Sequence, residues 1–337
     1  MVQSFLILCF VVSFLITLLV TPGWIRRARK AGLVGIDMHK LNPKNVAEMG
    51  GVPVLIGFMA GVLLFIAINT YYLDAPQTNL QILALLSTIL TISIIGIIDD
   101  ILGWKIGLRQ WQKPLLTFFA ALPMVVVNAG YSKVSLPLLG IVDLTYIYPF
   151  LFIPIGIVGA SNGFNMLAGY NGLETGMGAI ILFTMGYIAW FTRTGWVAVV
   201  ALCMFSSLIA LYLFNRHPAR IFPGDTLTYS VGALIASVAI AGNMEKIALF
   251  LFIPYFIQFP LKLRGLMQKE SFAKLLPNGS LLQPYKKIYA LEHLIIYTFN
   301  KLNIEIFEKD LVRVLFLFEI GLSAIVIYSV TYKIGIF

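Results

Sequence analysis

Charge is scarce in this chain of 337 residues, where Asp, Glu, Lys and Arg make up 12% and hydrophobic residues 59%. That is about half the charged share of an ordinary soluble domain, so a water-soluble globular fold is excluded. Cysteine is scarcer still: Cys9 and Cys203 both lie inside apolar runs, which excludes a disulfide framework and Cys/His zinc spacing. The three histidines, His39, His217 and His293, are isolated in the chain and read as ordinary surface side chains rather than ligands. Several catalytic templates are missing: no glycine-rich P-loop ending in Lys-Ser/Thr, no HExxH and no GxSxG elbow. Internal repeats and low-complexity tracts are absent, as is the alternating pattern of a membrane β-barrel.

Uncharged stretches of near-membrane length take their place, with a mean hydropathy of +0.90. An apolar helix needs about 20 residues to cross the hydrocarbon. The pattern predicts an all-α integral membrane protein with ten spans, at 3–22, 51–71, 80–98, 114–129, 145–161, 177–192, 196–214, 227–243, 246–262 and 312–332. Arg26, Arg27, Arg29 and Lys30 follow the first run and none precede it, the reverse of a cleaved signal peptide, so this span is expected to be retained. Loops after odd-numbered spans carry 19 Lys and Arg, whereas those after even-numbered spans, with the C-terminal tail, carry four: Lys133, Arg193, Lys246 and Lys333. Basic loops face the cytoplasm, so both termini are expected outside. The net charge of +9 is mostly this topological signal. No basic domain stands apart from the membrane, so the bilayer is an expected partner and nucleic acid is not. Residues 1–337 read as a single polytopic domain, with 263–311 as a cytoplasmic loop insertion between the last two spans.

Eleven of the fifteen acids fall in the expected cytoplasmic loops or at their edges. Glu270, Glu292, Glu305, Glu308 and Asp310, within 263–311, read as solvated surface. Asp99, Asp100 and Asp225 each abut a span in a short loop, where solvation explains them poorly. Asp99 and Asp100 end the run LSTILTISIIGIIDD and are followed by Lys105, Arg109 and Lys113. Adjacent like charges raise each other's pKa unless a cation compensates; the pair suits a metal ligand plus general base, or a solvated interfacial cap. The segment NGFNMLAGYNGLETGMG at 162–178 puts Asn162 and Asn165 on one face if helical. Carboxamide oxygens are hard ligands for Mg²⁺ and their NH₂ groups can donate to phosphate or a base edge; a turn-rich connection is the other reading. In NRHPARIFPGDTLTYSVG at 215–232, Asp225 is an N-cap or a ligand, Arg216 and Arg220 suit phosphate, and Phe222 suits a stacked base. The first cytoplasmic loop holds Asp37, His39, Lys40, Lys44 and Glu48. Glu319, inside the last span, is expected to snorkel or to make an interhelical hydrogen bond. Asp, Asn, Lys and Arg on one face of a membrane bundle suit Mg²⁺ and a pyrophosphate, where positioning and charge neutralisation supply most of the catalysis.

Four strings in order resemble the polyprenyl-phosphate N-acetylhexosamine-1-phosphate transferase family: IIDD at 97–100, Lys-Pro at 113–114, NGFNMLAGYNGLE at 162–174 and HPARIFPGDT at 217–226. The chain is most similar to the dolichyl-phosphate UDP-GlcNAc branch, the target of tunicamycin. The resemblance implies that a polyprenyl or dolichyl phosphate attacks the β-phosphorus of a UDP-N-acetylhexosamine and releases UMP, directly or through an aspartyl intermediate. Asp99 and Asp100 match the acidic pair that handles the lipid phosphate, and Asn165 and Asp225 match the Mg²⁺ ligands, with Mn²⁺ as an alternative. Lys113 matches a phosphate contact, Asn171 the uracil-binding asparagine, and Phe222 the aromatic beside it; Asn162 and Glu48 match neighbouring pocket residues. The family's arginine or histidine cluster in the last cytoplasmic loop is missing from 262–290, where Lys274 falls nearest its place. The loop from Asp100 to Lys113 is longer than in the eukaryotic branch, so Lys105 or Arg109 can stand in for Lys113. A homodimer and, for a prokaryotic chain, the cell membrane as its location accord with the resemblance. Two other readings compete. A CDP-alcohol phosphotransferase needs a D-G-x-x-A-R string that is not present. A transporter or channel predicts mid-membrane acids and broken spans, and Glu319 alone fits it.

Overall fold

The computed structural model describes residues 2–73, 76–136 and 140–334, without the side chains of 2–5, 104–106, 135–136 and 141. Asp74 and the Lys105 side chain therefore lie outside the described residues.

The apolar runs fold as helices: α1 (Val2–Lys30), α2 (Gly51–Tyr71), α3 (Asn79–Ile106), α4 (Gln112–Ala120), α5 (Leu122–Val126), α6 (Ile153–Met166), α7 (Leu173–Phe191), α8 (Gly195–Asn215), α9 (Asp225–Gly242), α10 (Glu245–Leu251), α11 (Ile253–Arg264), α12 (Leu291–Lys301) and α13 (Glu308–Thr331). Among the described residues seven are long and apolar enough to cross a membrane, or eight if α10 and α11, bent by 59°, make one span. The expected spans at 114–129 and 145–161 are interrupted instead. The first divides into α4 and α5 ahead of Pro123, and the second opens with a π-helical turn, Tyr148–Phe152, before α6. Proline removes a backbone donor and clashes with the preceding turn, which breaks a run that hydropathy alone reads as continuous. Three antiparallel two-stranded hairpins occupy loops: β1 (Val34–Ile36) with β2 (Asn45–Ala47), β3 (Lys133–Leu136) with β4 (Gly140–Asp143), and β5 (Lys274–Leu275) with β6 (Leu281–Leu282). The all-α reading did not include them.

Helix α9 is the centre of the bundle, with 83% of its apolar window buried against 28% for α1. It packs on α3 and α6, while α1 packs on α2 and α8, and α7 on α8 and α13. Lipid gives no hydrophobic reward for helix association, so close packing depends on small residues. Gly232, Ala233, Ala236, Ser237 and Ala239 supply them on α9 and are buried. On α2, Gly57 and Gly61 are spaced as G-x-x-x-G and face Thr17 and Ser13 of α1, whose side chains a Cβ at either glycine would strike.

Burial overturns five expectations. Glu292 and Glu308 are buried rather than solvated. His39 and His293 are buried rather than on the surface, because α12 turns Glu292 and His293 inward and Phe272 and Tyr170 cover His39. Glu319 is fully enclosed and neither oxygen has a hydrogen-bond partner among the described residues, so it neither snorkels nor bonds across helices. Cys9 and Cys203 are buried and form no disulfide.

Candidate active site

Two backbone features create the site. At Gly103 the φ of +73° breaks α3, a conformation that glycine adopts without steric penalty. The chain turns back, so the Leu108 N–H donates to Asp99 Oδ1 at 2.6 Å, and α4 then returns Lys113 to the same place. Lys113 Nζ lies 2.5 Å from Asp99 Oδ2 and 3.1 Å from Asp225 Oδ2. The longer loop thus delivers Lys113 itself, while Arg109 is exposed.

The second feature is the start of α9. Gly224 has a φ of +75° and offers no side-chain cap. The cap comes from another helix. Asp100 Oδ1 accepts from the Asp225 N–H at 2.7 Å, and Asp100 Oδ2 accepts from the Thr226 N–H at 3.0 Å and the Thr226 hydroxyl at 2.6 Å. A carboxylate here satisfies orphan amides and complements the positive end of the helix. A Cβ at Gly224 would fall 2.5 Å from Asp100 Oδ2, so the glycine is required by the cap as well as by φ. Close approach of this corner also needs Gly96 and Gly51, whose Cβ atoms would sit 2.7 Å from Thr226 Cα and 2.5 Å from Leu227 N.

Beneath this corner lies a cavity of about 740 Å³, lined by Glu48, Asp99, Asp100, Lys113, Asn165, Asn171, Phe222 and Asp225 among others. Eight of the eleven residues singled out from the sequence therefore share one wall system. Asn165, near the end of α6, accepts from the Thr228 hydroxyl at 2.9 Å. Phe222 is held by loop one, its N–H donating to Ala47 O at 2.7 Å and its carbonyl accepting from Gly50 N–H at 2.8 Å. Glu48 is half-buried; burial, and then the charge of Asp100, push its carboxyl above the ordinary range.

The remaining three lie elsewhere. Asn162 does not line the cavity; its Nδ2 donates to Thr117 Oγ1 at 3.1 Å and to Val158 O at 2.9 Å, tying α6 to α4. Arg220 is exposed, with its guanidinium 4.6 Å from the Phe214 ring centroid. Lys274 is exposed on β5. From the last long loop the cavity receives Phe272 instead. Phe272 and Thr228 escaped the sequence reading. Thr228 had a signal, three residues past Asp225 and thus one turn along α9; Phe272 had none.

The donor set can be tested against a divalent cation. Asp99 and Asp225 converge on a single ammonium, Lys113, and Asp100, in the same cavity, is already committed to α9. The carboxylate excess and the hard oxygens of Asp225 and Asn165 fit Mg²⁺. Among the described residues no three His, Cys, Asp or Glu side chains form a metal cage.

A polytopic helical membrane protein with an acid-rich cavity at the ends of its spans is thereby defined. Comparison with known proteins narrows the class. Residues 82–243 match the model of glycosyl transferase family 4. A Saccharolobus solfataricus protein, provisionally named UDP-N-acetylglucosamine–dolichyl-phosphate N-acetylglucosaminephosphotransferase, is 35% identical over 86% of this chain and 88% of its own. A Sulfolobus acidocaldarius protein of the same provisional name is 32% identical over 82% of this chain and 83% of its own. The phospho-N-acetylmuramoyl-pentapeptide-transferase of Halalkalibacterium halodurans is 29% identical over 73% and 77%. The chain belongs to glycosyl transferase family 4.

Proposed function

We propose that this protein transfers N-acetylhexosamine 1-phosphate, in the first instance GlcNAc-1-phosphate, from the UDP-sugar to a polyprenyl or dolichyl phosphate, releasing UMP and starting a lipid-linked glycan. The observation that carries the reading is the meeting of Asp99, Lys113, Asn165 and Asp225 in one cavity that also holds Asn171 and Phe222, in a chain whose relatives are named for this chemistry. Those relatives lend no support to a transporter.

In the mechanism the lipid phosphate approaches Asp99, which orients or deprotonates it, and attacks the β-phosphorus of the donor; the bond to the UMP oxygen breaks. Lys113 screens the mutual repulsion of the two phosphates. Asn165 and Asp225 would hold Mg²⁺ (or Mn²⁺), which when bound neutralises the pyrophosphate and improves UMP as a leaving group. Asp100 keeps the Asp225 corner in place. Holding both reactants at the membrane edge converts their encounter into a local step. With α4–α5, the segment through α6 and the bent α10–α11 each counted as crossings, the chain would make ten spans with both termini on one side; the basic loops support termini outside and a cytoplasmic cavity, in the cell membrane if the protein is prokaryotic.

The test is transfer of radiolabel from UDP-GlcNAc into organic-extractable lipid by the purified protein supplied with polyprenyl or dolichyl phosphate. A Mg²⁺-dependent lipid product with stoichiometric UMP is expected; no lipid product from any UDP-N-acetylhexosamine would sink the reading.

A further inference from the structure

Asn171 is held by residues that none of the four sequence strings contains. Its backbone N–H donates to Glu308 Oε1 at 2.8 Å, and its Nδ2 donates to Asp37 Oδ2 at 2.9 Å. Lys40 joins the two acids, pairing with Glu308 and lying 3.4 Å from Asp37 Oδ2. His217 Nε2 stands 3.6 Å from Glu308 Oε2; burial depresses its pKa, which keeps the ring neutral near pH 7. Asp37 and Glu308 are both buried. Three distant segments, loop one, the asparagine loop and the first turn of α13, thus meet on one residue, Glu308 at its backbone N–H and Asp37 at its carboxamide.

An ionised carboxylate only accepts hydrogen bonds. Asp37 therefore fixes which way the Asn171 amide faces: nitrogen toward Asp37, oxygen away. Asn171 and Asp37 both line the large cavity, as does Phe222.

We propose that Asp37 and Glu308, bridged by Lys40, are positioning residues that lock the Asn171 carboxamide with its oxygen presented to the cavity, so that the nucleotide end of the site selects a base with an imide N–H, uracil, over cytosine. This deepens the UDP-sugar reading and rests on it. Uracil carries hydrogen on N3, whereas N3 of cytosine is an acceptor. A locked oxygen faces cytosine N3 with lone pair against lone pair, but an amide free to rotate would serve either base. Sites built around a hydrogen bond reject analogues that cannot make it far more strongly than apolar pockets do.

UMP and CMP binding to the full-length protein in detergent, measured by calorimetry, tests the lock. Wild type is expected to prefer UMP by roughly thirtyfold or more. Asp37→Ala should weaken UMP about tenfold, bring the two nucleotides within about threefold, and raise the donor KM without raising the lipid-phosphate KM. Asp37→Glu keeps an acceptor-only carboxylate for Asn171 and should retain more of the preference than Asp37→Ala. An unaltered UMP/CMP ratio in Asp37→Ala, or a loss in Asp37→Glu as large as in Asp37→Ala, overturns the lock while leaving the donor reading intact. A wild-type protein with no preference for UMP overturns both.

Discussion

Asp99 and Asp100 are neighbours in sequence with different work. Asp99 faces Lys113 and the cavity, while Asp100 has both oxygens engaged by the first turn of α9. Their substitutions should separate accordingly. Asp100→Ala leaves two amides and a hydroxyl unmet, and should lower stability by about 1–3 kcal/mol, read as a fall in melting temperature in detergent. Asp225→Ala removes one of two carboxylates at Lys113 and leaves the α9 cap intact. It should keep the melting temperature within a few degrees yet reduce transfer by roughly a hundredfold or more; near-normal turnover at saturating Mg²⁺ would remove Asp225 from the metal site. At this scale the sequence was legible where a local string carries the chemistry. Asn165 and Asp225 sit in such strings and reach the cavity. Lys274 was placed by counting along a loop without a pattern, and the loop puts it in solvent. Glu308 read as surface because nothing local reveals that Asn171 and Lys40 close over it.

Among the elements, α12 departs furthest from its sequence impression. It lies in the stretch read as a cytoplasmic loop with solvated acids, yet Glu292 and His293 point into the protein. Gln258 Nε2 donates to Glu292 Oε2 at 3.0 Å, and Gln258 Oε1 accepts from the Leu291 N–H at 2.6 Å. Burial pushes the Glu292 carboxyl up to about 7 and the His293 imidazole down to about 4. The signs differ in consequence. Glu292 holds a proton in the folded state that it has lost when unfolded, so its contribution to stability declines as pH rises from the ordinary carboxylate range through about 7. His293 stays neutral when folded and protonates when unfolded, so stability also declines as pH falls below about 6.5, the ordinary histidine value. From about pH 5 to 7 the Glu292 contribution falls by up to about 1.4 kcal/mol per pH unit and levels off above about 7, while His293 opposes it below about 6.5, so the two largely cancel between pH 5 and 6. Glu292→Gln should therefore raise the melting temperature relative to wild type progressively between pH 5 and 7; a difference that does not change with pH would show that Glu292 ionises freely in the fold. Helix boundaries were readable from hydropathy for α2, α8 and α9. They were not where proline interrupts an apolar run, since hydropathy windows average over Pro123 and Pro149 while backbone hydrogen bonding does not.

For the molecule as a whole, the basic-loop asymmetry and the cavity make a joint statement. The cavity draws its loop residues only from the side that carries 19 Lys and Arg, and the β3–β4 hairpin lies on the side that carries four, in a loop with one, Lys133. Lys133→Cys and Lys301→Cys replace exposed residues, while native Cys9 and Cys203 are buried. An impermeant thiol reagent applied to intact cells should label the first and spare the second until the membrane is opened. Labelling of both from the same side would overturn the topology. Class and membrane setting were legible from composition because lipid imposes its requirements on every span. The interlocking of loops was not, because it depends on which ends meet, and charge counting assigns only a side.

The contact between Asp100 and the amides of Asp225 and Thr226 also has a timing. Its partners are separated by 125 residues or more of chain. At about 5–20 residues per second of synthesis, Asp100 reaches the bilayer surface on the order of ten seconds before the groups that will bind it exist. Until then it stays hydrated at the interface, and it gives up that water only when α9 docks. The pocket is therefore completed late in biogenesis, since the corner that holds Asp225 cannot exist before α9 has been made.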